Sequence, residues 1–159
     1  PDEDAWHNRE SYQLGYWRAS CYESIFGINI VGDSESNKLG QLSRSVYREY
    51  GGYWVARRVS GVFAAKNKLV SANRLELTFP SGQVPQGITH QARLRWSDNK
   101  GLTYGNPMIK EIGTAGAGNQ RLVWWSMGSF RQRTYELSIS TAANRDLIDE
   151  DFQYEVGGL

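Results

Sequence analysis

The chain has 159 residues, which is enough for one ordinary domain with its own apolar core, or for one domain and part of another. Its charged residues make up 22% and leave a formal net charge of +1, which argues against a dedicated nucleic-acid-binding protein, because such proteins carry a basic excess on one face. The single cysteine, Cys21, excludes an intrachain disulfide framework, and no apolar stretch reaches the length of a membrane-spanning helix.

The composition is rich in aromatic residues and glycine, with 6 tryptophans, 9 tyrosines and 17 glycines. Aromatic side chains pack well on pleated sheets, and glycines adopt the backbone angles of tight turns. With only 4 prolines in addition, this composition is typical of an antiparallel β protein. Because the chain starts at Pro1 rather than at a methionine, we expect a processed or excerpted piece.

The first 44 residues contain a short apolar strand, Ile28 to Val31, which is followed by a polar turn and then by Leu39 and Leu42. The stretch before it carries several tyrosines and Trp17 among small residues. Two or three strands of this kind cannot bury their faces alone. Residues 1–44 are therefore predicted to be the terminal strands of a larger domain.

Period-two alternation in residues 45–143 predicts four strands, each with one buried face. The inward positions are Leu75, Leu77 and Phe79, then Ala92, Leu94 and Trp96, then Leu122 and Trp124, and finally Tyr135, Leu137 and Ile139. The outward positions are Arg74, Glu76 and Thr78, then Arg93 and Arg95, then Val123 and Trp125, and finally Thr134, Glu136 and Ser138. Turn signals at 80–87, 97–101 and 113–118 separate these strands. Residues 45–143 are therefore predicted to form one antiparallel β-sandwich-like domain.

The last segment, residues 144–159, concentrates acidic side chains at Asp146, Asp149, Glu150 and Asp151. We predict an acidic tail that is either solvated or docked on a neighbour.

No catalytic, cofactor or metal site is predicted. His7 and His90 lack a nucleophile or carboxylate in a known arrangement, and His90 is expected at the surface. Cys21 has no basic neighbour closer than Arg18 and is expected to be a small buried residue. Metal-binding motifs are absent, and the stretch from Gly113 to Gly118 lacks the lysine and helix of a phosphate-binding loop. The chain is therefore not expected to be an enzyme.

A turn motif lies between the second and third of the predicted strands. Ser97, Asn99, Gly101, Thr103 and Tyr104 follow the spacing of the Asp-box, Ser-x-Asp-x-Gly-x-Thr-Trp, of sialidases and other propeller proteins. Asn99 replaces the aspartate and Tyr104 replaces the tryptophan. In those families the box is structural and lies away from the active site. The segment is therefore predicted to be a hairpin turn that fixes the strand register, rather than a binding site.

The order of motifs is more specific than any one motif. The segments that carry a likeness are 27–42, 68–83, 92–107 and 121–140, and the last contains Trp124, Gly128, Arg131, Arg133, Glu136, Ile139 and Ser140. Together they resemble the C-terminal part of the packaged DNA stabilisation protein, the tail-hub or tail accessory factor family of short-tailed bacteriophages. Asn99 and Tyr104 depart from the family pattern, and the acidic segment after Arg145 has no counterpart.

The resemblance implies a non-enzymatic structural protein of the phage tail, made in the cytoplasm of the bacterial host. Residues 1–44 would then be the last blade of a β-propeller that precedes the β-sandwich. The family forms a homo-oligomeric ring, sixfold in known members, beneath the portal and its head-to-tail adaptor. It holds the tail needle or plug that retains packaged DNA, and it seats tailspikes or fibres. Non-specific contact with passing DNA is expected, and a cofactor or a membrane span is not.

The candidate interface residues are those predicted to expose aromatic or guanidinium groups, which are enriched in the cores of protein interfaces. They are Trp125, Arg93, Arg95, Arg131 and Arg133. An alternative function is a carbohydrate-binding or sialidase-like β module that acts in receptor recognition, which the Asp-box and the tryptophans suggest. A β-barrel that stacks single-stranded nucleic acid on its aromatic residues is disfavoured by the charge.

Overall fold

The fold is described here from a computed structural model, which covers residues 10–157 except 53, 81–83, 85 and 117. These residues form twelve strands and no helix, and every strand pairing is antiparallel. The predicted all-β, antiparallel class is confirmed. None of the described residues belongs to a helix with the length and apolar character needed to cross a membrane. The chain divides into two compact units between Trp54 and Val55.

The first unit contains a three-stranded meander. Its strands are β1 (Ala19–Ile25), β2 (Ile28–Asp33) and β3 (Leu39–Gln41), with β2 in the centre. Phe26 and Gly27 join β1 to β2 in a tight turn with φ angles of 53° and 74°. Among the described apolar side chains of this unit, Val31 alone is fully buried. The meander therefore has little core of its own, and the propeller blade stays a prediction.

The second unit is built on a long central strand, β6 (Val70–Phe79). The strand β12 (Asp149–Val156) pairs with one edge of β6, while β9 (Gln120–Trp125) and β10 (Ser129–Phe130) pair with its other edge. We call these four strands the first sheet.

The second sheet has five strands in the order β4-β11-β7-β8. They are β4 (Ala56–Val59), β11 (Gln132–Ile139), β7 (His90–Ser97) and β8 (Met108–Gly113), and β5 (Phe63–Ala64) extends the β4 edge along β11. Adjacent residues of β7 and β11 pair in register, with Leu94 opposite Leu137 and Trp96 opposite Tyr135. The alternation read from the sequence therefore puts their apolar side chains on the same face.

The core lies between the two sheets. The first sheet contributes Leu75, Leu77, Phe79, Leu122 and Trp124, and the second contributes Ala92, Leu94, Ile112 and Ile139. An aromatic cluster extends this core towards β12, where Phe63 meets Phe152 at 5.2 Å and Tyr154 at 4.8 Å between ring centroids. This is the predicted β-sandwich, with the core where the alternation places it.

The structure divides the chain differently from the predicted organisation at two places. The units divide after Trp54 rather than after residue 44, and residues 149–156 are a strand of the first sheet instead of a separate acidic tail within 144–159. The strand at 149–156 was missed because its acidic residues obscure the alternation of apolar and polar side chains. Phe152 packs on the core while Asp149 and Asp151 face outward.

Candidate functional site

The Asp-box-like turn joins β7 to β8 and is held by side chain to backbone hydrogen bonds. The Ser97 hydroxyl donates to Asn99 Oδ1 at 2.7 Å and accepts from the Gly101 N–H at 2.9 Å. Asn99 Oδ1 also accepts from the Thr103 N–H at 2.9 Å, and Asn99 Nδ2 donates to Thr103 Oγ1 at 2.7 Å. Asn99 therefore accepts the bonds an aspartate would accept and adds a donor of its own.

The backbone of the turn requires glycine at one position. Gly101 has a φ of +85°, and an added Cβ would lie 3.3 Å from the Tyr104 hydroxyl. The hairpin is closed by a hydrogen bond from the Gly105 N–H to the Trp96 carbonyl at 3.0 Å. All five predicted motif residues thus meet in one turn, whose polar groups are used in bonds to one another. The geometry is that of a structural turn.

A buried arginine ties this turn to β11. Arg133 is 3% exposed, and its guanidinium donates to both carboxylate oxygens of Asp98, at 2.6 Å and 2.9 Å, and to the Met127 carbonyl at 2.6 Å. Three rings lie 4.3 to 5.9 Å from its guanidinium carbon, those of Phe130, Trp96 and Tyr135. Burial lowers the pKa of Arg133, but its hydrogen bonds, chiefly to Asp98, outweigh that effect and hold the pKa above its usual value. Arg133, one of the predicted interface residues, is therefore enclosed by the domain's own residues.

The outer face of the second sheet carries a second ion cluster. Glu136 is buried there, with Arg95 donating to it at 2.7 Å and Arg57 lying 3.6 Å away. The hydrogen bond to Glu136 raises the pKa of Arg95, whose guanidinium also lies 4.6 Å from the centroid of the Tyr104 ring. Glu136 faces outward from the sheet, as predicted, but the side chains of Arg95 and Arg57 pair with it and cover it from solvent. Arg93 stands exposed on the same face.

The outer face of the first sheet presents Trp125, which is 63% exposed. The Arg74 guanidinium lies 5.5 Å from the Trp125 ring and pairs with Asp151 at 2.7 Å and with Glu76. Arg121 approaches Glu76 from the other side at 3.5 Å. The result is an exposed tryptophan beside an ion-paired arginine and carboxylates on the outer face of this sheet.

The remaining candidate interface residue lies elsewhere. Arg131 is exposed between β10 and β11 and donates to the Asn67 carbonyl. The predicted set is therefore split between the two outer faces and the strand connection at Arg131. The structure does not bring these residues together into one surface.

Two predictions about single residues are wrong. His90 is 1% exposed rather than at the surface, and burial, followed by the positive charge of Arg145, lowers its pKa. Cys21 is exposed rather than buried, because it lies on the outermost strand of the small meander. His7 lies outside the described residues. In the described ranges no group of three or more His, Cys, Asp or Glu side chains could hold a metal ion.

The first unit has an ion pair that the sequence did not suggest. Arg18 Nε donates to Asp33 Oδ1 at 2.6 Å, and Arg18 also lies 4.7 Å from the centroid of the Tyr50 ring. The hydrogen bond from Arg18 holds the pKa of Asp33 well below its usual range. The two residues are 15 positions apart, and only the β1–β2 hairpin makes them neighbours. The pair is a structural clamp of the meander.

Residues 56–149 match the family described as bacteriophage P22 Gp10, beta-sandwich. The match covers more than half of the chain and runs from the first residue of β4 to the first residue of β12. The chain belongs to this family. The curated proteins contain no match to the sequence.

Membership of the Gp10 beta-sandwich family supports the predicted relationship to tail-hub proteins of short-tailed phages, and with it a structural, non-enzymatic role. It gives no support to the carbohydrate-binding alternative. The matched region contains the turn at Ser97 to Tyr104 and the outer face of the second sheet, whereas the meander of the first unit and β12 after Asp149 lie outside it.

Proposed function

We propose that the chain is a structural subunit of the tail hub in the virion of a short-tailed phage, made in the host cytoplasm and without enzymatic activity of its own. The observation that carries this proposal is the match of the sandwich to the Gp10 family. The ordered motifs of residues 68–140 lie within the matched region and agree with it.

In this role the subunit would assemble into a homo-oligomeric ring of six copies, between the portal with its adaptor and the distal tail. It would connect the portal to the needle and to the spikes or fibres, and so help to retain packaged DNA. A ring subunit needs two different surfaces, one for each neighbour. The sandwich offers two, because one outer face carries Trp125 beside Arg74 and the other carries Arg93 and Arg95 beside Glu136.

The first unit would be the end of a β-propeller in this proposal. Its exposed apolar side chains include Tyr22, Phe26 and Leu39. By register Tyr22 lies on the face of Val31 and Leu39 on the opposite face, and exposed apolar side chains of this kind favour a covering layer. A neighbouring blade would supply that layer. The net charge of +1 would also leave little electrostatic attraction to slow DNA that passes through the ring.

Electron cryo-microscopy of the chain mixed with the portal and adaptor of the phage that encodes it tests the proposal. We expect a ring of this chain bound at the distal end of the adaptor. Mass photometry on the same mixture, with the adaptor omitted as a control, measures whether the ring needs its neighbour. A chain that stays monomeric and does not bind the portal–adaptor assembly would contradict the proposal.

A further inference from the structure

On one side of the sandwich β8 and β9, the edge strands of the two sheets, lie next to each other. On the opposite side the edges are β12 and the β4–β5 segment. These edges meet where Phe63 packs on Phe152 and Tyr154, and a cavity of about 670 Å³ lies beside this contact. This volume is in the range of pockets that bind ligands or side chains of a partner.

The cavity is lined mostly by apolar groups. Leu75, Leu77 and Leu94 form its floor, and Phe152 of β12 and Val62 of the β4–β5 connection form part of its walls. Arg58 and Glu150 also line it, one from each edge. An occupant must therefore offer apolar groups towards the core.

The strand beside the cavity is an edge strand. Among the described residues β12 pairs with β6 alone, so its other side presents backbone N–H and C=O groups without strand partners. Most of its side chains are exposed. Such an edge is a template for an added strand, and main-chain hydrogen bonds would supply affinity while alternate side chains enter the adjoining cavity.

The acidic side chains of β12 indicate which kind of strand can pair with its free edge. Asp149 and Asp151 face outward on β12, and Arg74 already pairs with Asp151. The residue of an added strand directly opposite Asp149 would lie within reach of a carboxylate that has no ion pair among the described residues. A second copy of β12 would place acidic residues opposite acidic residues, which is destabilising. The acidic side chains of β12 therefore disfavour pairing of this edge with a second copy and favour pairing with a basic strand.

We propose that β12 and the adjoining cavity form a docking site for an extended segment of a different protein. The segment adds to the free edge of β12 as a strand. Its apolar side chains, at alternate positions, fill the cavity beside Phe152, and a lysine or arginine at an intervening position pairs with Asp149. The site requires only the sandwich and does not depend on the proposed tail role.

Binding of synthetic peptides to the full chain tests this site. The probe is a short labelled peptide that alternates lysine with valine and phenylalanine, and its control has the same composition with lysines and apolar residues in separate blocks. We expect fluorescence anisotropy to show binding of the alternating peptide and at least about tenfold weaker binding of the blocked one, a difference of about 1.4 kcal/mol.

Variants locate the site. Val62→Lys places a charge at the cavity mouth, and Ile109→Lys makes the same change on β8 at a matched exposure of 51% against 53%. We expect about tenfold weaker binding for Val62→Lys and no change for Ile109→Lys. Asp149→Lys should weaken binding of the lysine peptide and strengthen binding of a peptide in which glutamate replaces lysine. These exposed substitutions leave the core intact, so thermal melting should be unchanged.

Amide hydrogen exchange identifies the binding mode. Addition of the alternating peptide should slow exchange in residues 149–156, since an added strand protects the free edge. Equal binding of both peptides, or binding without this protection, would overturn the proposal. So would protection of β12 in a dimer of the chain alone, which would make a second copy the occupant. Occupation of the cavity by decanoate in preference to the peptide, with β12 unprotected, would overturn it in favour of a small apolar ligand.

Discussion

The ion pair between Arg133 and Asp98 leads to a prediction about stability in which the less buried partner matters more. Arg133 is enclosed and Asp98 is half exposed. Asp98→Ala leaves a guanidinium in an apolar site without its counter-charge, and such a loss costs about 3–5 kcal/mol. Arg133→Met leaves a carboxylate that water can reach and fills the space with a flexible apolar chain. Arg133→Met should lower the free energy of unfolding mainly because the Met127 carbonyl loses its hydrogen-bond donor, which costs about 1–3 kcal/mol.

The two changes together are the sharpest form of the test. In the double variant no charge is buried alone, so it should unfold at a higher denaturant concentration than Asp98→Ala. Urea titration followed by tryptophan fluorescence measures the midpoints, and Asp98→Asn serves as a control that keeps the shape but removes the charge. If Arg133→Met is the most destabilised variant, or if the two single costs simply add, then desolvation of Arg133 does not govern this site.

Four further outcomes follow from the same structure. Trp124→Ala should destabilise the sandwich by about 3–5 kcal/mol, because that side chain is fully buried, whereas Trp125→Ala should change stability by less than about 1 kcal/mol; thermal melts compare the two. Asn99→Ala removes the acceptor of two turn hydrogen bonds and should cost about 1–2 kcal/mol in urea titration, with fully exposed Leu102→Ala in the same turn as the unaffected control. Folding lowers the pKa of His90, so the unfolded chain binds the proton more tightly and the free energy of unfolding should fall as pH drops through about 6.5. Melting temperatures at pH 7.5 and 5.5 test this. The drop in melting temperature should be smaller for His90→Phe. Gly128→Val introduces a β-branched residue at a φ of +76° and should lower the melting temperature even though the space around the position is open, and an unchanged melting temperature would show that the backbone relaxes there.

The strands that sequence reasoning found are those with one buried face. In β6, β7 and β9 the apolar positions alternate, and the structure buries Leu75, Leu94 and Trp124 accordingly. The strand β11 follows the same alternation, but both of its faces are covered, one by the core and the other by arginines of neighbouring strands. Alternation alone therefore could not show that Glu136 is buried, whereas Arg133 lies two positions before Tyr135 and falls on the inward face.

Strands at the edges were the ones missed. β4 exposes most of its side chains, β8 is half exposed, and β12 is dominated by carboxylates that suggest a solvated segment. Their existence depends on hydrogen bonds to a neighbour that is distant in sequence. The one local signal for β12 was the spacing of Phe152 and Tyr154 on one face, which the core contacts confirm.

The position of β12 also has a consequence for biosynthesis. Residues 70–79 are flanked by partners that follow them by tens of positions, and the last partner is residues 149–156. Pairings this distant along the polypeptide slow folding. A nascent chain on the ribosome would therefore expose an unfinished sheet until residues 149–156 emerge from the exit tunnel, and during that interval it would be most exposed to proteases and chaperones.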